Sequence, residues 1–379
     1  MTDIIDQTVA LAPRPKQNVA AAGQWKLIWW RFRQHRLALI SGVVIALIYL
    51  TAIFAEFLAP VSSQTYDARF TYAPPQQLKF FGTDAGGEFH PIYVNGYTVV
   101  VDPIALNRNY QTDPAIIIPV GFFVPGEPYK FWGLFDADRH LIGPVDRTQP
   151  FYLFGADRLG RDVFSRTIHG TRVSMSVGLI GVTISLILGI ILGGISGLYG
   201  GWVDDVIQRA IELLTSIPTI PLWMGLAAAV PISADPLLVY IWITVILSLI
   251  GWTDLARVVR GRFLSLKTED FIIAARLDGC SQMRIIWRHM VPSFMSHIIA
   301  SVTLAIPTMI LAETALSFLG IGLRPPVVSW GVLLQEAQNI MAVSSAPWLF
   351  LPGLAVIVTV LALNFLGDGL RDAADPYEY

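Results

Sequence analysis

The sequence has few charged residues and a single cysteine, and both shortages narrow the class of protein. Asp, Glu, Lys and Arg make up only 14% of the 379 residues, whereas 54% are hydrophobic. Soluble domains carry about 25% charged residues, so this composition indicates a membrane protein. The lone Cys280 excludes an intramolecular disulfide and any metal site or redox couple made of paired cysteines. We interpret Cys280 as a small apolar residue.

A phosphate-binding loop and a strong net charge are also missing. No lysine follows a glycine, as a phosphate loop requires; the lysines are Lys16, Lys26, Lys79, Lys130 and Lys267. The formal net charge of -2, with basic residues confined to particular loops, gives no indication of a nucleic-acid partner. The six histidines are scattered without ligand spacing. We therefore predict no metal site, no cofactor and no catalytic site in this chain.

Apolar runs dominate what is present. A helix needs about 20 residues to cross a hydrocarbon layer of roughly 30 Å. Six runs meet this requirement, at residues 37–58, 173–198, 207–230, 237–255, 294–318 and 348–366. The second contains Gly193, Gly194 and Gly197, and the third contains Pro218 and Pro221. These residues predict close helix approach or kinks, as polytopic bundles tolerate.

The distribution of basic residues predicts how the chain is oriented across the membrane. Lys26, Arg31, Arg33 and Arg36 precede the first run, which places its N-terminal end in the cytoplasm. With six spans, residues 257–290 lie on the same side. That loop holds seven basic residues against three acidic ones, namely Arg257, Arg260, Arg262, Lys267, Arg276, Arg284 and Arg288 against Glu269, Asp270 and Asp278. Both termini are therefore expected in the cytoplasm.

The expected organisation has five parts. Residues 1–36 form a cytoplasmic segment in which Trp25, Ile28, Trp29 and Phe32 share one helical face, either as a helix in the headgroup layer or as an aromatic belt. Residues 37–59 form the first span, 60–170 an extracytoplasmic insert, 171–370 a core made of the other five runs, and 371–379 a cytoplasmic tail. Short β-rich runs between Pro, Gly and Asn residues predict a small β-containing module in the insert, which is a docking surface for an outer partner or a stabilising cap.

The cytoplasmic loop at residues 257–292 contains an ordered pattern. Ala274 and Ala275 precede Gly279, and the apolar Ile285 and then Pro292 follow. A short helix ended by a glycine in the left-handed conformation would form a compact knob that a partner can approach closely. Arg276, Leu277 and Asp278 complete this predicted contact segment, in which the charged side chains could fix the orientation of the partner.

This pattern resembles the loop of the membrane subunits of binding-protein-dependent ABC importers, in which E-A-A and a following glycine form a coupling helix that docks on the ATPase. Ile273 stands here in place of the family's glutamate, so no carboxylate is available at that position. Three further blocks resemble the C-type permeases of the dipeptide, oligopeptide and nickel branch. They are FGADRLGRDVFSRTIHGTRVSMSVG at 154–178, LAETALSFLGIGLRPP with SWG at 311–331, and LPGLAVIVTVLALNFLGDGLRDAADP at 351–376.

The resemblance implies an all-α membrane protein with the six-helix type I importer permease fold, plus the β-containing insert. It implies MgATP bound by two partner ATPase subunits or domains, a second homologous permease, an extracytoplasmic solute-binding protein, and an inner-membrane location in the lipid bilayer. The expected cargo is an oligopeptide; the long insert is similar to that of a subgroup that also handles oligosaccharides. An ion-gradient-driven transporter is a further alternative, which would show matching interrupted helices and a charged residue near mid-membrane.

Several polar residues outside these motifs are further candidates for a structural role or for a place in the gate or translocation path. Asp157, Arg158, Arg161 and Asp162 predict a structural turn held by Asp–Arg pairs on the outer side. Glu313 is placed near the outer surface by counting helical rise from Pro292, as an anchor of the helix end or as part of a gate. Asn364, near the end of the last run, is the second candidate for a gate or path residue.

Overall fold

The computed structural model describes residues 24–83, 87–101, 108–231 and 235–374. Residues 1–23 and 375–379, which belong to the expected N-terminal segment and tail, lie outside this part. Within it, the helices are α1 (Gln24–Phe32), α2 (Arg36–Ile53), α3 (Ala55–Leu58), α4 (Val163–Tyr199), α5 (Gly201–Ser216), α6 (Thr219–Ala228), α7 (Pro236–Leu266), α8 (Asp270–Leu277), α9 (Gln282–Arg284), α10 (Val291–Ser293), α11 (Met295–Phe318), α12 (Trp330–Glu336), α13 (Ile340–Ser345) and α14 (Leu351–Ala374).

Five of these helices are long and apolar enough to cross a membrane: α2, α4, α7, α11 and α14. They correspond to the expected first, second, fourth, fifth and sixth spans, although α2 ends at Ile53, before the expected end at residue 58. Helix α4 begins at Val163, ahead of the expected start at residue 173 and inside the stretch assigned to the insert. It begins there because the Asp162 carboxylate accepts hydrogen bonds from the backbone N–H groups of Phe164 and Ser165, which caps the helix.

The expected third span at residues 207–230 is not one straight helix. It consists of α5 and α6, whose axes are bent by 91°. Ile217, between them, is extended at φ −94° and ψ 133°. The residue before a proline disfavours the helical conformation, so Pro218 accounts for the break. The break therefore falls at Pro218, one of the two prolines at which the sequence predicts a kink, and α5 with α6 make a sixth span if the bent pair is counted as one.

Helices α4 and α7 pack closely along the predicted glycine positions. A β-carbon at Gly193 would lie 2.4 Å from the carbonyl oxygen of Ala256, and one at Gly197 would lie 2.7 Å from the β-carbon of Phe263. Only glycine permits this approach, because real β-carbons do not come so close to other atoms. The C-terminal halves of α4 and α7 thus form one tightly joined pair.

The insert contains a four-stranded antiparallel sheet, which confirms the predicted β-containing module. Its strands β1 (Lys79–Thr83), β2 (Phe89–Val101), β3 (Arg108–Phe131) and β4 (Phe135–Pro144) are neighbours in chain order. The first half of β3 pairs with β2 and the second half with β4. Val94, Ile118, Val120 and Phe151 form a small core under the sheet.

Helix α1 lies against the C-terminal end of α14. Phe32 is buried there with Ala38 and Ala373, and Ile28 is half-buried beside them, whereas Trp29 is exposed. The predicted face of α1 is thus divided between a protein contact and the exterior. The side chain of Trp25 lies outside the part of the chain that the structure describes.

Candidate functional site

The predicted contact segment forms α8, and a glycine ends this helix as the sequence indicates. Gly279 adopts φ +72°. Its N–H donates to the carbonyl oxygen of Arg276 at 3.0 Å, and the N–H of Cys280 donates to that of Ala275 at 3.1 Å. This pair of bonds is a Schellman motif, which satisfies the free carbonyl groups at a helix end. A β-carbon at Gly279 would meet nothing within 4 Å, so the turn faces open space.

The two faces of α8 have opposite environments. Ile272 and Ala275 are buried, at 0% and 5% exposure. Leu277 is 83% exposed, and Ile273 is 43% exposed. Residues on the exposed side of the predicted segment are Ala274, Arg276, Leu277, Asp278 and Gly279. An apolar side chain as exposed as Leu277, flanked by charges, is typical of a surface that a partner protein covers.

Not every predicted contact residue can touch a partner. Ala275 and Ile285 lie inside the protein, while Pro292 is exposed at the start of α10. Conversely, the sequence interpretation missed Phe271 and Trp287, which are 43% and 45% exposed. The three-residue spacing of Ile272 and Ala275 could have indicated a buried face, but spacing alone does not tell which face of a short helix is inside.

The buried face of α8 rests on the transmembrane helices. Ile272, Ala275, Ile285 and Ile286 belong to one apolar cluster with Phe263 of α7, and with further residues Ile190, Leu198, Val259, Met290, Val291, Phe294 and Ile298. Residues Ile285–Met290, between α9 and α10, form a π-helical turn that directs its isoleucines into this cluster. Movement of α8 away from α7 would open a cavity in a packed core, which is energetically costly.

An ion pair extends this assembly to α5. The Arg260 Nε on α7 lies 2.6 Å from an Asp204 carboxylate oxygen on α5. The Ser196 hydroxyl on α4 also donates to Asp204, and the Gln208 amide donates to Ser196 at 3.1 Å. Three helices are therefore held together at one point, which the sequence could not reveal because the partners are far apart along the chain.

Glu313 lies in the interior and not at an exposed helix end. It is 0% exposed, and its carboxyl group accepts hydrogen bonds from Ser329 at 2.7 Å, Ser317 at 2.8 Å and Ser174 at 3.3 Å. The Ser174 hydroxyl in turn accepts the backbone N–H of Trp330 at 3.1 Å. Counting helical rise locates depth along the membrane but not burial between helices, so the sequence did not show that Glu313 is enclosed.

The three serines around Glu313 form a serine cage that joins three helices. Ser174 lies on α4, Ser317 follows Glu313 by one turn on α11, and Ser329 caps α12. Asn364, the other predicted path residue, lies half-buried on α14, and none of these hydrogen bonds to Glu313 comes from it. The structure therefore does not bring the two predicted path residues together as one polar site.

A buried ionic cluster also joins α4 and α12. Arg161 Nε is 2.6 Å from Asp157, as the predicted Asp–Arg turn requires. Arg161 also contacts Glu336 at 2.7 Å, and Arg166 pairs with both Asp157 and Glu336. Two positive and two negative side chains, each at most 10% exposed, thus balance one another. They attach α12 to the start of α4.

Asp162 next to this cluster is also buried. Burial raises the pKa of the Asp162 carboxyl to about 6, while hydrogen bonds from Ser165 and Phe164 act in the opposite direction.

Within residues 24–83, 87–101, 108–231 and 235–374, no three His, Cys, Asp or Glu side chains are grouped so as to hold a metal ion. Asp162 caps α4, whereas Asp157 and Glu336 form ion pairs.

Comparison with known families identifies two matching regions. Residues 186–377 match the family described as "Binding-protein-dependent transport system inner membrane component", and residues 23–75 match the "N-terminal TM domain of oligopeptide transport permease C". The first match contains the whole of α8 and the cluster beneath it, and the second contains α2 and α3.

Several curated proteins are similar over most of their length. The oligopeptide transport system permease protein OppC of Bacillus subtilis is 36% identical over 265 residues, which is 69% of this chain and 82% of that protein. The dipeptide permease DppC of Alkalihalophilus pseudofirmus is 40% identical, with 68% and 82% covered. The glutathione permease GsiD of Pectobacterium atrosepticum is 38% identical, with 66% and 79% covered.

Among solved structures, the inward-facing methionine transporter MetNI aligns with 56% of this chain and 97% of its own matched chain. The sequence identity is 16% and the TM-score is 0.44.

Proposed function

Since this chain belongs to the binding-protein-dependent transport system inner membrane components, in the C-type branch of the peptide permeases, we propose that it carries oligopeptides and couples their passage to ATP hydrolysis on separate subunits. As a member of that family it is a multi-pass inner-membrane permease subunit of an ABC importer. It forms half of the translocation path, and a second homologous permease forms the other half. Both termini lie in the cytoplasm.

The exposed Leu277 on a helix whose other face is buried carries the coupling proposal. Two ATPase subunits or domains bind MgATP, and one of them receives α8 in a surface groove. Leu277 supplies the apolar contact, and the flanking Arg276 and Asp278 fix its orientation. Ala274, on the exposed side, keeps the approach close because it has almost no side chain.

Motion of α8 reaches the membrane through rigid contacts. Ile272 and Ala275 pack on the cluster that contains Phe263, so α8 and α7 move together. The glycine contacts join α7 to α4, and the Arg260–Asp204 pair joins both to α5. Displacement of the ATPases therefore rotates these helices as one body, which is a common form of switching transition.

The outer end of α4 connects this group of helices to α11 and α12. Ser174 attaches it to Glu313 on α11, and Arg166 attaches it to Glu336 on α12. When the cytoplasmic end of α4 moves with α7, these outer contacts transmit the movement to the helices that border the extracytoplasmic opening. The cavity then alternates between the binding protein on the outside and the cytoplasm. Glu313 acts in this mechanism as a gate-positioning residue.

The ion-gradient alternative has two observations in its favour, since the third span is broken and Glu313 is a buried carboxyl group. One bent pair of helices in the described part of the chain is not the matched pair that such transporters use. Uptake into proteoliposomes decides between the two energy sources. We expect uptake to require internal ATP and to survive an uncoupler, and the reverse would favour an ion-driven transporter.

The cargo is tested by competition. The chromosomal gene would be deleted and a copy supplied on a plasmid. These cells would receive a radiolabelled tetrapeptide in the presence of an excess of unlabelled peptides or oligosaccharides. We expect plasmid-dependent uptake that only peptides inhibit. Inhibition by an oligosaccharide alone, or uptake of the label without the plasmid, would contradict the peptide assignment while leaving the ATP-coupling proposal intact.

A further inference from the structure

The insert carries an apolar tip where β3 turns into β4. Trp132 is 51% exposed, Leu134 76% and Phe135 68%. Trp132 and Gly133 both have positive φ, of 51° and 72°. Hairpin turns that need positive φ favour Asn followed by Gly, and a bulky residue in this conformation is uncommon. A large indole therefore occupies a turn position that a small polar residue would fill more easily.

The tip is fixed beside the outer end of the first span. The Trp132 indole N–H donates to the carbonyl oxygen of Ile53, the last residue of α2, at 3.1 Å. Phe131 stacks on Phe54 with ring centroids 5.8 Å apart. The Arg172 guanidinium lies 4.3 Å from the Trp132 ring centroid. These contacts hold the hairpin beside the C-terminal end of α2. The exposed side chains of the hairpin tip therefore lie at nearly the same depth in the membrane as that helix end.

The position of Ile53 sets the depth of the tip in the membrane. Helix α2 has 18 residues, which correspond to about 27 Å at helical rise, close to the hydrocarbon thickness of roughly 30 Å. The helix begins at Arg36, behind the basic residues that mark the cytoplasmic side. Ile53 and the hairpin tip therefore lie at the boundary between the hydrocarbon and the outer headgroups.

The exposed surface of α2 continues onto the tip. Five large exposed side chains on α2 and its C-cap residue follow one helical face at spacings of three or four residues: Ile40, Val43, Leu47, Leu50 and Phe54. A stripe of this kind on a spanning helix faces lipid. Phe54, at its outer end, is the residue that stacks on Phe131 of the hairpin. The apolar tip is thus an extension of a lipid-facing surface.

We propose that the β3–β4 tip is a lipid anchor, in which Trp132, Leu134 and Phe135 lie among the headgroups and upper acyl chains of the outer leaflet. Tryptophan and other aromatic residues favour this layer because their rings are apolar and the indole N–H can still form a hydrogen bond. The anchor fixes the height and orientation of the insert over the helix bundle. It requires only that α2 spans the membrane, and it is independent of the cargo and of ATP coupling.

Spin-label accessibility tests this anchor. Cys280 is the only cysteine in the sequence, so Cys280→Ser gives a background in which Leu134→Cys carries one nitroxide. The matched control is Val145→Cys, which is 58% exposed and about 30 Å along β4 from the tip at 3.3 Å per residue. The labelled chain, with the subunits that copurify, would be placed in nanodiscs of phosphatidylethanolamine and phosphatidylglycerol.

The lipid anchor predicts that the ratio of oxygen to nickel-chelate collision rates is severalfold higher at position 134 than at position 145, because oxygen concentrates in lipid and the chelate stays in water. Equal ratios at the two positions would place the tip in water and overturn the proposal. Suppression of both collision rates at position 134 would indicate a protein contact, with a second permease or the binding protein, and would overturn it as well.

Discussion

Gly193 on α4 and Ala256 on α7 are so close that a β-carbon at position 193 would lie 2.4 Å from the Ala256 carbonyl oxygen. Because the obstructing atom belongs to the backbone of α7, no side-chain rotation can relieve the contact. In the proposed mechanism, transmission from the cytoplasmic loop to the outer gate depends on this pair of helices moving as one body.

Replacement of Gly193 by alanine is therefore expected to separate α4 from α7 and to destabilise the chain. Overpacking of this kind costs about 1–3 kcal/mol. The measurement is the thermal melting temperature of the purified complex together with peptide uptake, and both should fall. Gly261→Ala is the matched control, since a β-carbon at Gly261 on α7 meets nothing within 4 Å. That variant should be neutral or more stable by about 0.5–1 kcal/mol, and an equal loss in both variants would contradict the packing argument.

Two substitutions at Gly279 distinguish the effect of backbone strain from the effect of a blocked docking surface. Its positive φ makes Gly279→Ala cost about 1–2 kcal/mol, but the added methyl group meets no atom of the chain. We expect Gly279→Ala to retain most peptide uptake, whereas Gly279→Arg should abolish both uptake and peptide-stimulated ATP hydrolysis. Membrane fractionation should show both variants inserted. Normal uptake by an inserted Gly279→Arg variant would be incompatible with α8 as a docking element.

The serine cage predicts different results for two changes at Glu313. Glu313→Gln keeps an oxygen that can accept the hydroxyl hydrogen bonds, so it should retain most of the stability. Glu313→Leu leaves Ser329, Ser317 and Ser174 without this acceptor, and unsatisfied buried groups cost about 1–3 kcal/mol each. Thermal melting of the purified complex checks the order, and uptake shows whether the gate still opens. Leucine as good as glutamine in both measurements would exclude the cage as a stabilising contact.

The outer ionic cluster should respond strongly to removal of one partner. Arg166→Met leaves Asp157 and Glu336 with one cation between them, and breaking a buried pair costs about 3–5 kcal/mol. The exposed Arg209–Glu212 pair, with side chains 82% and 60% exposed, offers the control. Arg209→Met should change stability by less than about 1 kcal/mol. Chemical or thermal unfolding of the two variants measures the difference, and similar losses would show that burial of the cluster is unimportant.

Asp162 introduces a pH dependence of stability. Its pKa is raised from 3.8 to about 6 by burial, so the folded chain binds more protons than the unfolded chain between these values. The free energy of unfolding contributed by this group therefore falls as the pH rises from about 4 to 6. The melting temperature of the native chain relative to that of Asp162→Asn should therefore fall as the pH rises across this range. An unchanged slope in the variant would assign the pH dependence to other groups.

The sequence was sufficient for features that depend on local patterns. The apolar runs located the spanning helices, the β-rich runs located the sheet, and the Ala-Ala-Gly pattern located α8 and its end. Proline was a weaker guide, because Pro218 stands at a 91° break, whereas Pro307 lies inside the continuous α11. A proline indicates where a helix can break, and its neighbours in the fold determine whether it does.

Contacts between residues that are far apart in the chain could not be predicted from the sequence. Glu313 was recognised as unusual, but its serine partners come from α4 and α12 as well as its own helix. Arg166 and Glu336, which complete the ionic cluster, are 170 residues apart in the chain. The pattern around Ala274 and Ala275 could not show that only Ala274 is on the exposed side. Such pairings depend on how the helices pack, which no single segment specifies.

The most direct test of the coupling role is to identify what touches Leu277. A photo-activatable amino acid, p-benzoylphenylalanine, would replace Leu277 in the assembled importer, with Val145 in the insert as the matched exposed position. We predict that illumination links position 277 to the ATPase, that ATP changes the yield of this product, and that position 145 gives none. Absence of an ATPase product at position 277, or an equal yield at position 145, would contradict docking of α8 on the ATPase.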